Sequence, residues 1–195
     1  MNKLSVDSKA QALIFDVDGT LVNSMPLHYK AWLKVGEQYN FHFPEKLFYE
    51  LAGVPTPGIS KVIVEKLDLP YDIVQLGEEK EETYIAMIDE IRPIEEVVDV
   101  VKAYHGKLPL AAGTGSPRIN AIKTIKAIGI FDLFEVLITY EDVENPKPAP
   151  DTFLKCAEFL QVEPQYCQVF EDGDPGLEAA SSAGMIVTDI KKFIS

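Results

Sequence analysis

Hydrophobic positions along this chain follow two rhythms. Leu13-Ile14-Phe15 is a short unbroken apolar run that ends in Asp16, Asp18 and Gly19. A run of that kind, bounded by a glycine, predicts a strand of a parallel sheet buried on both faces. From Ser24, with Pro26 soon after, apolar residues recur instead at helical spacing: Leu27, Ala31, Val35 and Tyr39, with Trp32 beside them. Pro44 opens a second short helical stretch through Leu51, and the breakers of Gly53-Val54-Pro55-Thr56-Pro57-Gly58 read as a loop. Helical patterns resume over Ile59–Leu67 and over the Glu-rich Ile73–Asp89. No strand candidate lies between Ser24 and about Arg92, so this block is expected to be purely helical.

After Pro93 the rhythm alternates. A helix is expected over Glu95–Tyr104, ended by His105-Gly106, then a strand over Leu108–Ala112 and a helix over Pro117–Ile128. Further pairs follow: strand Val136–Thr139 with helix Asp151–Leu160, and strand Gln168–Phe170 with helix Pro175–Ala183. A last strand spans Met185–Thr188. Strands and helices alternating at these lengths mean βαβ units with right-handed crossovers. The expected architecture is an α/β, Rossmann-like parallel sheet built from residues 1–23 and 93–195, interrupted by an inserted helical domain over 24–92. Met1–Ala10 is polar and reads as a loose lead-in. An insertion beside the first strand's carboxylates is well placed to act as a lid.

Composition narrows the partners. The 195 residues accommodate one domain with a modest insertion, and 47% hydrophobic with 25% charged residues is ordinary for a soluble globular protein. A net charge of −13 argues against nucleic acid and anionic membranes, and requires local positive charge wherever an anionic substrate binds. The first residues are polar and no run reaches the length of a membrane span, so neither a signal peptide nor a membrane segment is expected. Cys156 and Cys167 lack metal-ligand spacing and read as reduced core residues, which suits a cytoplasmic protein.

The chemistry gathers at the ends of the strands. Residues i and i+2 of an extended segment point the same way, so Asp16 and Asp18 are expected side by side where ligands bind in open α/β sheets. Carboxylates that close repel each other and invite a divalent metal. Gly113-Thr114-Gly115-Ser116-Pro117 presents N–H groups at a helix start, although it also reads simply as an N-cap at Ser116. Lys147 stands among prolines after the third strand, and Glu171-Asp172 forms a second acidic pair after the fourth. Together these residues suit the approach of a carboxylate to a phosphate dianion. At ~4 Å and an effective dielectric of ~20 that repulsion is about 8 kcal/mol. A hard cation offsets most of it, and Lys147 with the Thr114–Ser116 turn supplies the remainder.

These motifs, in this order, resemble the haloacid dehalogenase superfamily of phosphotransferases: Asp16-Val17-Asp18-Gly19-Thr20, then Thr114, Lys147 and Glu171-Asp172. Asn145-Pro146-Lys147-Pro148-Ala149-Pro150-Asp151, and Phe170-Glu171-Asp172 followed by Gly176 and Ala183-Gly184-Met185, are similar to its β-phosphoglucomutase and sugar-phosphatase branch. Gly113-Thr114-Gly115-Ser116 looks most like the bacterial fructose-1-phosphate phosphatases. The resemblance implies a Mg²⁺-dependent phosphatase of small sugar phosphates, with the helical block as its cap. It makes Asp16 the nucleophile and Asp18 the general acid and base. Mg²⁺ would be held by Asp16, the Asp18 carbonyl, Asp172 and Glu171, and the phosphoryl group by Thr114, Gly115, Ser116 and Lys147. In the mutase a hinge histidine steers the acid/base aspartate and basic cap residues grip a second phosphate. His28 and Lys80 match such positions, yet His28 also reads as a partly exposed helix histidine and Lys80 as part of a solvated Glu/Lys-rich helix. The cap arginine is missing, since Pro55-Thr56-Pro57 follows Gly53-Val54, which favours phosphatase over mutase. A receiver domain and a metal-binding protein without turnover are the readings from other classes. The cap must open and close, so a monomer is the expected state.

Overall fold

The computed structural model describes residues 4–51 and 54–194. Five strands form one parallel sheet in the order β3-β2-β1-β4-β5. They are β1 (Ala12–Phe15), β2 (Leu110–Gly113), β3 (Val136–Ile138), β4 (Cys167–Glu171) and β5 (Ile186–Asp189). The chain builds outward from β1 on one side, then crosses back to lay β4 on the other. This makes β1 the point where strand order reverses, and its C-terminal end the natural crevice for a ligand.

Both faces of the sheet are covered, as the unbroken apolar run requires. Leu13 and Phe15 of β1 pack into one cluster with Val97 and Val101 of α5 (Glu95–Tyr104) and Ala121 and Ile125 of α6 (Arg118–Ala127). Ala12 and Ile14 alternate into the opposite cluster, with Phe153 and Cys156 of α7 (Asp151–Leu160) and Ala179 and Ala180 of α8 (Asp174–Ser182). Phe15 and Phe170, paired across β1 and β4, stack at 4.8 Å between ring centroids. Cys156 and Cys167 are both buried and free, as their apolar surroundings suggested.

The helical block contains α1 (Met25–Gln38), α2 (Glu45–Glu50), α3 (Thr56–Lys66) and α4 (Ile73–Ile85). It has its own core of Trp32, Val35, Phe43, Phe48, Ile63 and Leu76. The two connections to the sheet run side by side. Asn23 N–H donates to the Arg92 carbonyl at 2.9 Å, and Ile94 N–H to that of Leu21 at 3.0 Å.

Three local expectations are corrected. The lead-in is tied down: Leu4 is buried, Asp7 N–H donates to the Gln168 side chain at 2.7 Å, and that side chain donates to Ser5 O at 3.1 Å. In the stretch read as a loop over 53–58, α3 already begins at Thr56, with Gly53 lying outside the described residues. A proline in the first turn has a helical φ and lacks only an N–H that would have no partner there, so Pro57 starts this helix rather than breaking it. The helix expected over Ile73–Asp89 stops at Ile85, and a 3₁₀ turn over Ile88–Glu90 carries the apolar pattern on to the buried Met87 and Ile91.

Candidate active site

Asp16, Thr114, Lys147 and Glu171 leave four different strands at the same edge of the sheet. Asp16 N–H still bonds to Phe170 O at 3.0 Å, and Thr114 N–H to Ile138 O at 2.9 Å, so the ladder fixes where both side chains begin. Behind them Lys147 is fully enclosed. It donates to Asp16 Oδ1 at 2.6 Å and to Glu171 Oε2 at 2.8 Å. Burial works against its charge, but Asp16 and Glu171 overcome this and hold the ammonium above its usual value.

Carboxylate oxygens of Asp16, Glu171 and Asp172 lie within 4.8 Å of one another. Glu171 Oε1 accepts the N–H groups of Asp172 at 3.1 Å and Gly173 at 2.8 Å, and Thr20 Oγ1 donates to Asp172 Oδ1 at 2.8 Å. Two glycines make room for this crowding. A Cβ on Gly176 would stand 2.0 Å from Glu171 Oε2, and one on Gly19, at φ +93°, would stand 2.3 Å from Asp172 Oδ2. Burial and then Glu171 drive the Asp16 carboxyl well above its ordinary value, against Lys147, and the same two causes push Asp172 up to about 7. Two buried acids and the half-buried Asp172 against one lysine leave negative charge uncompensated, and their hard oxygen donors fit a divalent cation.

Asp18 faces away from this cluster into a different set of partners. Its Oδ1 accepts from Ser24 Oγ at 2.7 Å and His28 Nε2 at 3.0 Å, and its Oδ2 from Ser116 Oγ at 2.7 Å and Thr114 Oγ1 at 3.3 Å. Burial opposes its ionisation, but His28, Ser116 and Ser24 outweigh burial and hold its carboxyl below the usual range. Its side chain is therefore outside the acidic cluster, leaving only its main-chain carbonyl for a metal. Ser116 is not the helix cap: α6 is capped at Pro117, and the Ser116 hydroxyl is turned to Asp18. Gly115 and Ser116 line the same cavity as Asp16 and Asp18.

His28 and Lys80 are both buried, which removes the readings of a partly exposed histidine and of a solvated lysine. Lys80 Nζ lies 2.8 Å from His28 Nδ1 and 2.8 Å from Glu81 Oε1. His28 thus bridges Lys80 and Asp18, one ring nitrogen facing each. Glu81 accepts in addition from Thr56 of α3 and Asn120 of α6, joining the helical block to the sheet domain. Burial opposes the Glu81 charge, but Lys80, His28 and Thr56 hold its carboxyl below the ordinary value. Glu81 and Asn120 went unnoticed in the sequence, while Ser24 was marked only as a helix start and Thr20 only as part of the first motif. Their roles depend on partners up to 152 residues away, and no spacing marks them.

Fold and site together define an α/β core, a five-stranded parallel sheet with an inserted helical block, and an acidic, lysine-backed pocket at the end of β1. The family model for haloacid dehalogenase-like hydrolases matches residues 10–184. The chain is 39% identical over 180 residues to the fructose-1-phosphate phosphatase YqaB of Escherichia coli, covering 92% of this chain and 95% of that one. It is 32% identical to a phosphorylated carbohydrates phosphatase of Thermotoga maritima, covering 90% of this chain and 82% of that one. The crystal structure of β-phosphoglucomutase from Clostridium difficile superposes with a TM-score of 0.80 at 31% identity, over 91% of this chain and 83% of that one. The chain belongs to the haloacid dehalogenase-like hydrolases and is a phosphatase of that family.

Proposed function

We propose that this protein is a Mg²⁺-dependent phosphatase of small sugar monophosphates, of the fructose 1-phosphate type, working through an aspartyl-phosphate. The observation that carries the reading is the separation of two aspartates in one cavity: Asp16 backed by Lys147 and the acidic cluster, Asp18 held by hydroxyls and His28. Asp16 attacks phosphorus, while Thr114, Ser116, the Gly115 N–H and Lys147 hold the transferring oxygens. In the free protein the Ser116 and Thr114 hydroxyls bond to Asp18. When they turn to an arriving phosphate, Asp18 loses two donors and gains a dianion beside it. Both changes favour its protonation, so it becomes able to donate to the leaving oxygen and later to accept a proton from water. Asp16, the Asp18 carbonyl, Asp172 and Glu171, directly or through water, would hold Mg²⁺, which neutralises the charge between nucleophile and phosphate. Residues 24–92 act as the cap over this core of 1–23 and 93–195.

The cap supports hydrolysis over mutase chemistry. A bisphosphate must be gripped at both ends, yet Lys80, the cap cation of this cavity among the described residues, is already paired with Glu81. The test is phosphate release from hexose and pentose phosphates with Mg²⁺, alongside β-glucose 1-phosphate with a trace of its 1,6-bisphosphate. Release that disappears in Asp16→Asn is the expected result. Bisphosphate-dependent formation of glucose 6-phosphate with little free phosphate would make the protein a mutase instead.

A further inference from the structure

The cavity between the strand ends and the cap has a volume of about 50 Å³, and outside it a groove of about 710 Å³ runs between α3 and α4 of the cap and α6 of the sheet domain. The cavity holds a few waters and not a sugar phosphate, so the cap has to swing aside to admit one and close again for chemistry. Thr56 lines both spaces, whereas Glu81 and Asn120 line the groove alone. The boundary between the two is therefore a knot of polar side chains centred on one carboxylate.

Each oxygen of Glu81 has a separate set of partners. Oε1 accepts from Lys80 Nζ at 2.8 Å and from Thr56 Oγ1, both in the cap. Oε2 accepts from Asn120 Nδ2, across the domain boundary on α6. One turn further along both helices, the Tyr84 hydroxyl of α4 meets Thr124 of α6 at 2.9 Å. Two polar rungs thus join the cap helix to the sheet-domain helix. The Tyr84–Thr124 rung is buried and lies nearer along the chain to the connection at Arg92. The Glu81–Asn120 rung lies nearer the site, because Asn120 stands in the first turn of α6, just after the Thr114–Ser116 turn. It also borders the groove, so water can take over its partners when the cap lifts and no charge is stranded without a hydrogen bond.

We propose that Glu81 and Asn120 are positioning residues that latch the closed cap: the carboxylate that holds Lys80 beside His28 also takes the Asn120 amide, so the contact that shuts the cap also fixes its basic side chains over the site. Neither residue lines the inner cavity, so both act through the cap and not on the phosphate. The latch goes beyond the phosphatase reading and leans on it only for the kinetic test. With the latch in place, the protein's own contact favours closure. Without it, substrate binding has to drive closure, and apparent affinity falls with the fraction of closed cap. The closed complex itself is unchanged, so turnover at saturation holds.

Asn120→Asp is nearly isosteric and sets a second carboxylate against Glu81. KM for a sugar monophosphate is expected to rise about 10- to 100-fold, with kcat changed by less than about threefold. Adding Glu81→Gln reverses the pair: the new amide donates to the new carboxylate, while its oxygen still accepts from Lys80 and Thr56. The double variant is expected to bring KM back to within about threefold of wild type. Without substrate, amide exchange in α4 and in the first turn of α6 should quicken in Asn120→Asp and slow again in the double variant. An unchanged KM in Asn120→Asp, a loss confined to kcat such as a misfolded fraction gives, or a double variant no better than the single one overturns the latch and leaves the phosphatase standing. Wild-type protein that releases no phosphate takes down the phosphatase reading instead. Amide exchange then decides the latch, and identical exchange in all three proteins overturns it.

Discussion

At the scale of single residues, small side chains matter here for what they leave vacant. Gly176 lies against the Glu171 carboxylate, where a methyl group would overlap it at 2.0 Å. Gly176→Ala should therefore push Glu171 out of the acidic cluster, and the Mg²⁺ concentration for half-maximal activity should rise about 10- to 100-fold. Titrating Mg²⁺ in the phosphate-release assay checks this. Glu81 acts through charge. Its carboxyl is held below the ordinary 4.5, so just under that value the folded state binds fewer protons than the unfolded chain. The stability it contributes is present in full above 4.5 and is lost as pH falls through the lower folded-state value. Glu81→Gln should cost about 1–3 kcal/mol at pH 7. Urea unfolding should find the deficit shrinking as the pH is lowered below 4.5.

At the scale of elements, α4 is the piece that joins cap to sheet domain. Tyr84 of α4 stacks on His28 of α1 at 3.9 Å between ring centroids, and its hydroxyl meets Thr124 of α6 at 2.9 Å. That hydrogen bond is buried, so Tyr84→Phe should leave Thr124 without its partner and weaken the junction by about 1 kcal/mol. Faster amide exchange in α4 and in the first turns of α6 is the expected readout. The apolar periodicity marked α1, α5 and α7 closely because each buries one face on a core. The start of α3 was hidden, because a proline that ends most helices is tolerated in a first turn. The end of α4 was hidden too, since the following 3₁₀ turn keeps burying apolar side chains at a similar spacing.

At the scale of the whole molecule, a protein of net charge −13 concentrates three acids, two buried and one half-buried, beside one lysine. Asp172, pushed from 3.8 up to about 7 by burial and Glu171, binds protons in the metal-free folded state that the unfolded chain has already released. Metal-free stability should thus fall as pH rises from about 4 to 7, and Mg²⁺ should restore it most at the upper end. Thermal melts in EDTA and in Mg²⁺ at pH 5 and pH 8 check this: the gap between the two should widen at pH 8, and phosphate release in EDTA should drop to background. By itself the sequence determined the parallel sheet, the helical insertion and the residues at the strand ends. Those follow from the period of apolar residues and from the rule that strand ends of one parallel sheet share an edge. Only the tertiary structure decided how the charges are shared out. It set Asp16 on Lys147 and Asp18 on His28, buried Lys80 against Glu81, and joined Glu81 to Asn120. Such pairings join residues far apart in the chain, and are settled by how the cap helices pack over the sheet rather than by any local pattern.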